Sequence, residues 1–311
     1  MTKREILPQA PQSVIMIRPH HFTPNPATAA DNAFQSVDEK RAAEAIAKAA
    51  YDEVTLAVSS LEKAGVEVHL FEDEGTATPD SVFPNNWFST HAGGSVALYP
   101  MYSESRRAER RSDIIEMLKK KYRVYNIIDY SSLEYENIFL EGTGSMVIDH
   151  IERVAYGATS KRTDPILLER FCTHFNYEPC SFDAVDGKGQ PIYHTNVLMC
   201  VGTHYVIIGL DTVADPGRRA EIKKRFESTN RAVIDLTHQQ INEFAGNALE
   251  LSGTNGPVLA LSSRSLKAMS ADQVKAIEQS ATLLPLDIPT IELAGGSVRC
   301  MMAGVHLSKR I

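Results

Sequence analysis

Cys300, His194 and Glu141 are side chains whose types, taken together, can make a covalent catalyst. A thiolate attacks electrophilic carbon, an imidazole moves protons near neutral pH, and a carboxylate orients the imidazole and stabilises its charged form. The three are distant in sequence but share a register. Asn86, Glu141, His194, Asn247 and Cys300 are separated by 55, 53, 53 and 53 residues. A fixed period of this size marks a repeated supersecondary unit, and equivalent positions in a closed ring of such units face one axis.

The elements that must position these residues repeat with the same period. Two apolar, β-branched runs joined by a tight turn occur at 86–101, 145–159, 196–211 and 248–262. Each is followed by a helical pattern, at 106–122, 164–175, 215–229 and 270–281. In the first of these Ile114, Ile115, Leu118 and Tyr122 share a face, and Asp or Ser residues at the helix starts are suited to N-capping. A third strand then follows: RVYNIID, EPCSFDAV, RAVIDLT and TLLPLDI. A fifth unit forms when the chain ends are joined, with 299–307 and 13–19 as its hairpin, 38–64 as its helix and 66–71 as its third strand. The predicted fold is therefore α/β, a five-bladed propeller of ββαβ units with pseudo-fivefold symmetry, and residues 1–311 form one catalytic domain. Loops are predicted at 23–36, long enough to be functional, and at 73–86, leading into the first ring strand.

Composition narrows the function. With 43% hydrophobic and 23% charged residues the chain has the make-up of an ordinary soluble protein, and a net charge of −7 argues against general affinity for nucleic acid. The N-terminal residues MTKREILPQAPQ lack a secretory h-region, and no apolar run approaches the roughly 20 residues of a membrane span. Cys172, Cys180, Cys200 and Cys300 show neither metal-ligand spacing nor a secreted framework, which predicts reduced thiols, a cytoplasmic location and no metal. Cys172, Cys180 and Cys200 read as small core residues. Cys300 differs because Gly295 and Gly296 precede it, allowing a ligand to approach the backbone closely. No organic cofactor is implied. The expected partner is a small molecule, and a homodimer is compatible with the sequence.

Five motifs carry a resemblance: Pro79-Asp80-Ser81-Val82-Phe83, Leu140-Glu141-Gly142, Ser160-Lys161-Arg162-Thr163, Tyr193-His194-Thr195-Asn196 and Gly295-Gly296-Ser297-Val298-Arg299-Cys300-Met301. Together they resemble the guanidino-group-modifying superfamily, which includes dimethylarginine dimethylaminohydrolase, arginine deiminase and the amidinotransferases. The whole pattern over residues 13–309 is most similar to the bacterial citrulline-utilisation hydrolases. The resemblance implies the five-bladed propeller. It also implies Cys300 as nucleophile, His194 as general acid and base, and Glu141 as its carboxylate partner. By the same resemblance Arg162 grips the substrate α-carboxylate, Arg106 or Arg107 provides a second contact, and Asp80 is an acidic residue on the substrate side.

The departures from the family pattern bear on substrate. Where dimethylarginine hydrolases have Glu-Asp to hold a guanidinium, this chain has Asn85 and Asn86 within Pro84-Asn85-Asn86. The deiminase His-x-Asp is His194-Thr195-Asn196, and the acid that usually ends the Glu-x-Gly-Asp motif is Gly144. A buried cation without a counter-charge is costly, whereas an amide both donates to and accepts from a neutral urea. The sequence thus predicts a ureido amino acid, L-citrulline foremost, as substrate. Asn86, Asn196 or the backbone near Gly295 and Gly296 would face the developing oxyanion. A guanidino substrate is the alternative, and a non-catalytic binding module is the alternative of another class, since the same fold also serves as a ribosome anti-association factor.

Overall fold

The computed structural model describes residues 8–310, so the first seven residues of the N-terminal segment read for a secretory signal lie outside the described residues. Strand β1 (Ser13–Pro19) pairs in parallel with β2 (Glu67–Asp73) and antiparallel with β15 (Ala303–Val305), uniting the two ends of the chain in one sheet. Four further three-stranded sheets follow in sequence. They are β3 (Phe88–His91), β4 (Ser95–Leu98) and β5 (Asn126–Asp129); β6 (Met146–Asp149), β7 (Val154–Thr159) and β8 (Glu178–Asp183); β9 (Met199–Val201), β10 (Tyr205–Ile208) and β11 (Ala232–Asp235); and β12 (Leu249–Gly253), β13 (Gly256–Ser262) and β14 (Thr282–Leu286). In every sheet an antiparallel hairpin is extended by a parallel third strand that returns after a helix. The five expected ββαβ units are thus present, the fifth assembled from both termini.

The helices follow from apolar spacing and caps. In Ala43–Lys63 the buried residues Ile46, Ala50, Val54, Ala57, Val58 and Leu61 recur at three- and four-residue intervals and form one stripe against the sheets. Asp164 caps Pro165–Phe175 by accepting from the Ile166 and Leu167 N–H groups, Asp215 caps Pro216–Glu227, and Ser270 opens Ala271–Glu278 with a capping box to Gln273. The helix expected over 106–122 is instead two pieces, Glu104–Arg107 and Ser112–Lys121. The break serves ion pairs. Arg106 bonds the buried Glu109, and Arg110 bonds the buried Glu134 and the Tyr99 carbonyl, so tertiary pairing overrides a continuous helical pattern.

Cys172, Cys180 and Cys200 are buried and unpaired. Burial pushes the Cys172 and Cys200 thiols up to about 12 and Cys180 up to about 11, which keeps them protonated and inert. No helix among the described residues is long and apolar enough to cross a membrane.

Candidate active site

All five register positions lie just before the leading strand of a sheet. Asn86 ends the turn Pro84–Asn86 before β3, Glu141 precedes the turn Gly142–Ser145 before β6, and His194 precedes Thr195–Leu198 before β9. Asn247 stands before β12 and Cys300 before β15. This shared placement brings their side chains together, and all five are buried.

His194 Nε2 lies 2.8 Å from Glu141 Oε2. The other carboxylate oxygen accepts from the Tyr102 N–H at 2.9 Å, and Arg162 Nη1 is 3.5 Å from Oε2. Burial works against the charge on Glu141, but Arg162, His194 and Arg106 outweigh it and hold the carboxyl down at about 2. An ionised Glu141 can only accept, so Nε2 of His194 carries the proton and Nδ1 keeps its lone pair. Burial lowers the His194 pKa despite the Glu141 hydrogen bond, leaving a neutral imidazole near pH 7. This geometry supplies a base whose tautomer is fixed from behind.

Cys300 Sγ receives two amide donors, Asn196 Nδ2 and Asn247 Nδ2, each at 3.3 Å. Asn247 also donates to the Asn196 carbonyl at 2.9 Å and accepts from the Arg299 N–H at 3.0 Å, so its orientation is fixed. Donors aimed at sulfur are the polarity a thiolate needs. Asn196 Oδ1 is buried without a partner. Gly295, at φ 79°, adopts a left-handed turn that a side chain would strain, and a Cβ there would meet the Asn32 amide at 2.4 Å.

The cavity above Cys300 and His194 is about 20 Å³, and is further lined by Asp80, Phe83, Asn86, Arg106, Arg162 and Tyr193 among others. The predicted loop 23–36 crosses it. Asn25 Nδ2 donates to Asp80 Oδ2 at 2.8 Å, Asn32 Nδ2 donates to the Ala294 carbonyl at 3.2 Å, and Asp31 takes both Nε and Nη2 of Arg162 at 3.0 and 2.7 Å. The Arg162 fork, predicted for a substrate carboxylate, is thus occupied by Asp31 in this state.

Three residues expected on the substrate side, Arg107, Asn85 and Asn196, are not among those that line the cavity, although Asn196 touches Cys300 Sγ. Arg107 does not line the cavity; its Nε donates to the Met101 carbonyl at 3.2 Å and lies 3.7 Å from Glu134. Its buried neighbour Arg106 lines it instead, 3.7 Å from Asp80 Oδ2 and doubly bonded to Glu109. Asn85 is fully buried but stands behind Asn86 and not in the cavity wall. With its amide oxygen toward Arg106, Asn86 accepts from Nη1 at 2.7 Å and Nη2 at 3.3 Å and donates to Asn85 Oδ1 at 3.0 Å. Gly144 proves to be a steric matter as well as a missing acid, since a Cβ there would sit 2.4 Å from the Asn86 side chain and 2.8 Å from His194 Nδ1.

Sequence reasoning placed Asn247 on the register without giving it a role. It missed Asn25, Asp31, Asn32 and Glu109, because a loop acid or amide has no local pattern that points to its distant partner. Among the described residues no group of three or more His, Cys, Asp or Glu is arranged to hold a metal.

A buried cysteine with amide donors, a histidine oriented by a carboxylate, and a cavity holding two arginines and an aspartate belong to a class of hydrolase. That class breaks carbon–nitrogen bonds of guanidino and related groups through a cysteine. Over residues 18–307 the chain matches the model of the family described as N,N dimethylarginine dimethylhydrolase, eukaryotic, and it belongs to that family within the guanidino-group-modifying superfamily. No curated protein matches it in sequence. Among solved structures it is similar to the substrate-bound N-terminal domain of ArgZ, an arginine dihydrolase from the ornithine–ammonia cycle in Cyanobacteria, with 16% identity over 94% of this chain and 97% of that one and a TM-score of 0.71. AgrE in complex with L-arginine gives 16% identity and a TM-score of 0.73 over 96% of this chain and 40% of that one. The Pseudomonas aeruginosa dimethylarginine hydrolase complexed with citrulline gives 14% and 0.64 over 95% and 99%. At these identities the likeness is one of fold.

Proposed function

We propose that this protein hydrolyses the ureido group of a free amino acid, L-citrulline foremost, to ornithine, ammonia and carbon dioxide. The observation that carries the reading is Asn86. At the position where a carboxylate would hold a guanidinium stands a neutral amide, and it is bonded to the Arg106 cation. A guanidinium seated there would face a positive charge, whereas a ureido group would face dipoles it can pair with.

The chemistry runs in two halves. Cys300 loses its proton to His194 Nδ1 and its sulfur bonds the ureido carbon. Charge gathers on the ureido oxygen, and the backbone at Gly296, a residue that lines the cavity with Cys300, is the donor assigned to it. His194 then gives its proton to the departing ornithine nitrogen, the C–N bond breaks, and a carbamoyl group remains on sulfur. Water, deprotonated by His194, attacks that carbonyl and releases carbamate, which decomposes to ammonia and carbon dioxide. Glu141 stabilises the imidazolium in both halves. Asn196 Oδ1 is the acceptor for a ureido N–H, Arg162 and Arg106 are the partners of the α-carboxylate, and Asp80 is the partner of the α-ammonium.

This reading takes the whole chain as one catalytic domain, a five-bladed propeller, acting in the cytoplasm as a monomer or homodimer without metal or cofactor. Ring closure is supported by a cavity to which the leading strands of all five sheets contribute. A second reading, hydrolysis of arginine or another guanidino acid, is favoured by the Asp80 carboxylate in the cavity and by the arginine-acting proteins of similar fold. Incubation with L-citrulline and, separately, L-arginine distinguishes the two. Ornithine and ammonia from citrulline, absent with Cys300→Ala, are the expected products; turnover of arginine with citrulline inert would replace the first reading by the second.

A further inference from the structure

On the other side of the wall that carries Cys300 lies a second cavity, of about 50 Å³, that shares no lining residue with the catalytic one. The strands β3, β6, β9, β12 and β15 surround it, and its polar wall includes Arg299, His91, His150 and His306. Among the described residues no aspartate or glutamate lines it. In a chain of net charge −7 this is not part of a general basic surface.

The Arg299 guanidinium donates to the Met302 carbonyl at 3.0 Å and forms no ion pair with any carboxylate of the described residues. Arg106, Arg162 and Arg231, the arginines that are buried among the described residues, each have a carboxylate at close range. Arg299 is half-buried, and a partly desolvated guanidinium that lines a cavity without a counter-charge favours an anion beside it. His91 points to the same need. It is 3% exposed, its Nε2 is bonded to Ser89 Oγ at 2.7 Å, and its Nδ1 has no partner. His150 and His306 stack at 4.1 Å between ring centroids, with His150 Nδ1 bonded to Tyr177. Burial holds His91 and His150 well below the usual histidine range and His306 down at about 4, so among the described residues Arg299 carries the one permanent charge on this wall.

We propose that this cavity binds a small monovalent anion, a halide or bicarbonate, paired with Arg299 and hydrogen-bonded by the neighbouring imidazoles. The volume accommodates an anion together with one or a few waters, each water needing roughly 10–15 Å³. The site has a link to the catalytic one. Arg299 N–H donates to Asn247 Oδ1, and Asn247 Nδ2 donates to Cys300 Sγ, so an anion that fixes Arg299 steadies the amide cradling the thiol. The inference rests on the geometry of this cavity and stands whichever substrate the enzyme takes.

The test is thermal unfolding of the full chain, dialysed into sodium gluconate, while chloride or bicarbonate replaces gluconate at constant ionic strength. Binding to the folded state alone predicts a saturable rise in midpoint, roughly 2–3 °C at ten times the dissociation constant. Arg299→Gln should lose it. A response to chloride alone assigns a halide, and a response to bicarbonate alone assigns the carbonate class. Isothermal titration of the unmodified chain with the same two anions decides the matter even if Arg299→Gln does not fold. Heats that show no saturable binding, or a midpoint shift that is linear in anion and equal in Arg299→Gln, would overturn the proposal.

Discussion

At the scale of single residues, the site depends on one ionised carboxylate and one neutral imidazole. Glu141→Gln removes the charge that fixes the His194 tautomer and stabilises the imidazolium, and kcat should fall roughly 10²- to 10⁴-fold. A fall below tenfold would show that the tautomer is held by something else. The same carboxyl makes a pH-dependent contribution to stability. Its folded pKa, about 2, is depressed below the ordinary 4.5, so its contribution is present above that ordinary value and is lost as pH falls toward 2. Urea midpoints measured from pH 5 to pH 2 should therefore drop more steeply in the wild type than in Glu141→Gln. Since burial lowers the His194 pKa, the acid limb of kcat/KM should have its midpoint below 6.5, and a midpoint above that value would mean the imidazole is not held neutral. Asn86→Asp places a carboxylate against Arg106 and should lower the citrulline-to-arginine ratio of kcat/KM at least about tenfold. Asn85→Asp, one layer further back, should change that ratio less. Cys300, His194 and Glu141 were legible because their types are rare on a shared register. Asn247 was legible in position and not in role, because an amide becomes informative only when the atom it faces is known.

At the scale of elements, the turn from Glu141 to Ser145 does the positioning. Ser145 Oγ accepts from the Glu141 N–H and donates to the Arg162 carbonyl, while Thr195 Oγ1 donates to the Ser145 carbonyl, tying the turn before β6 to the turn before β9. Gly144 is the point where this turn touches His194. Gly144→Ala introduces a methyl 2.8 Å from His194 Nδ1, and the expected result is a loss of kcat of at least roughly 10²-fold with a modest change in thermal midpoint. Full activity in that variant would mean the His194 ring is free to move aside. The hairpins and the capped helices were legible because strand alternation and N-caps are local. The helix over 106–122 was not, because its break answers to Glu109 and Glu134 and to no feature of its own spacing.

At the scale of the whole molecule, the segments leading into the five sheets gather the candidate site, and the loop 23–36 crosses its cavity. A cavity of about 20 Å³ holds a water or two, not an amino acid. On the proposed function, the segment from Asn25 to Phe34 is expected to release its contacts as substrate enters, Asp31 from Arg162 first among them. If Asp31 competes with the substrate carboxylate, Asp31→Asn should lower KM severalfold while kcat changes less; an unchanged KM would place the carboxylate away from Arg162. The repeat that unites the two chain ends in one sheet was legible in the period alone, whereas the strap was legible only as a loop of functional length. The central claim is that Cys300 attacks a ureido carbon and expels ornithine. Its most direct test is the mass of the protein quenched during turnover of citrulline. The expected result is a carbamoyl group on Cys300, absent from Cys300→Ala. Adduct formed from arginine and none from citrulline, at saturating concentrations of each, would contradict it.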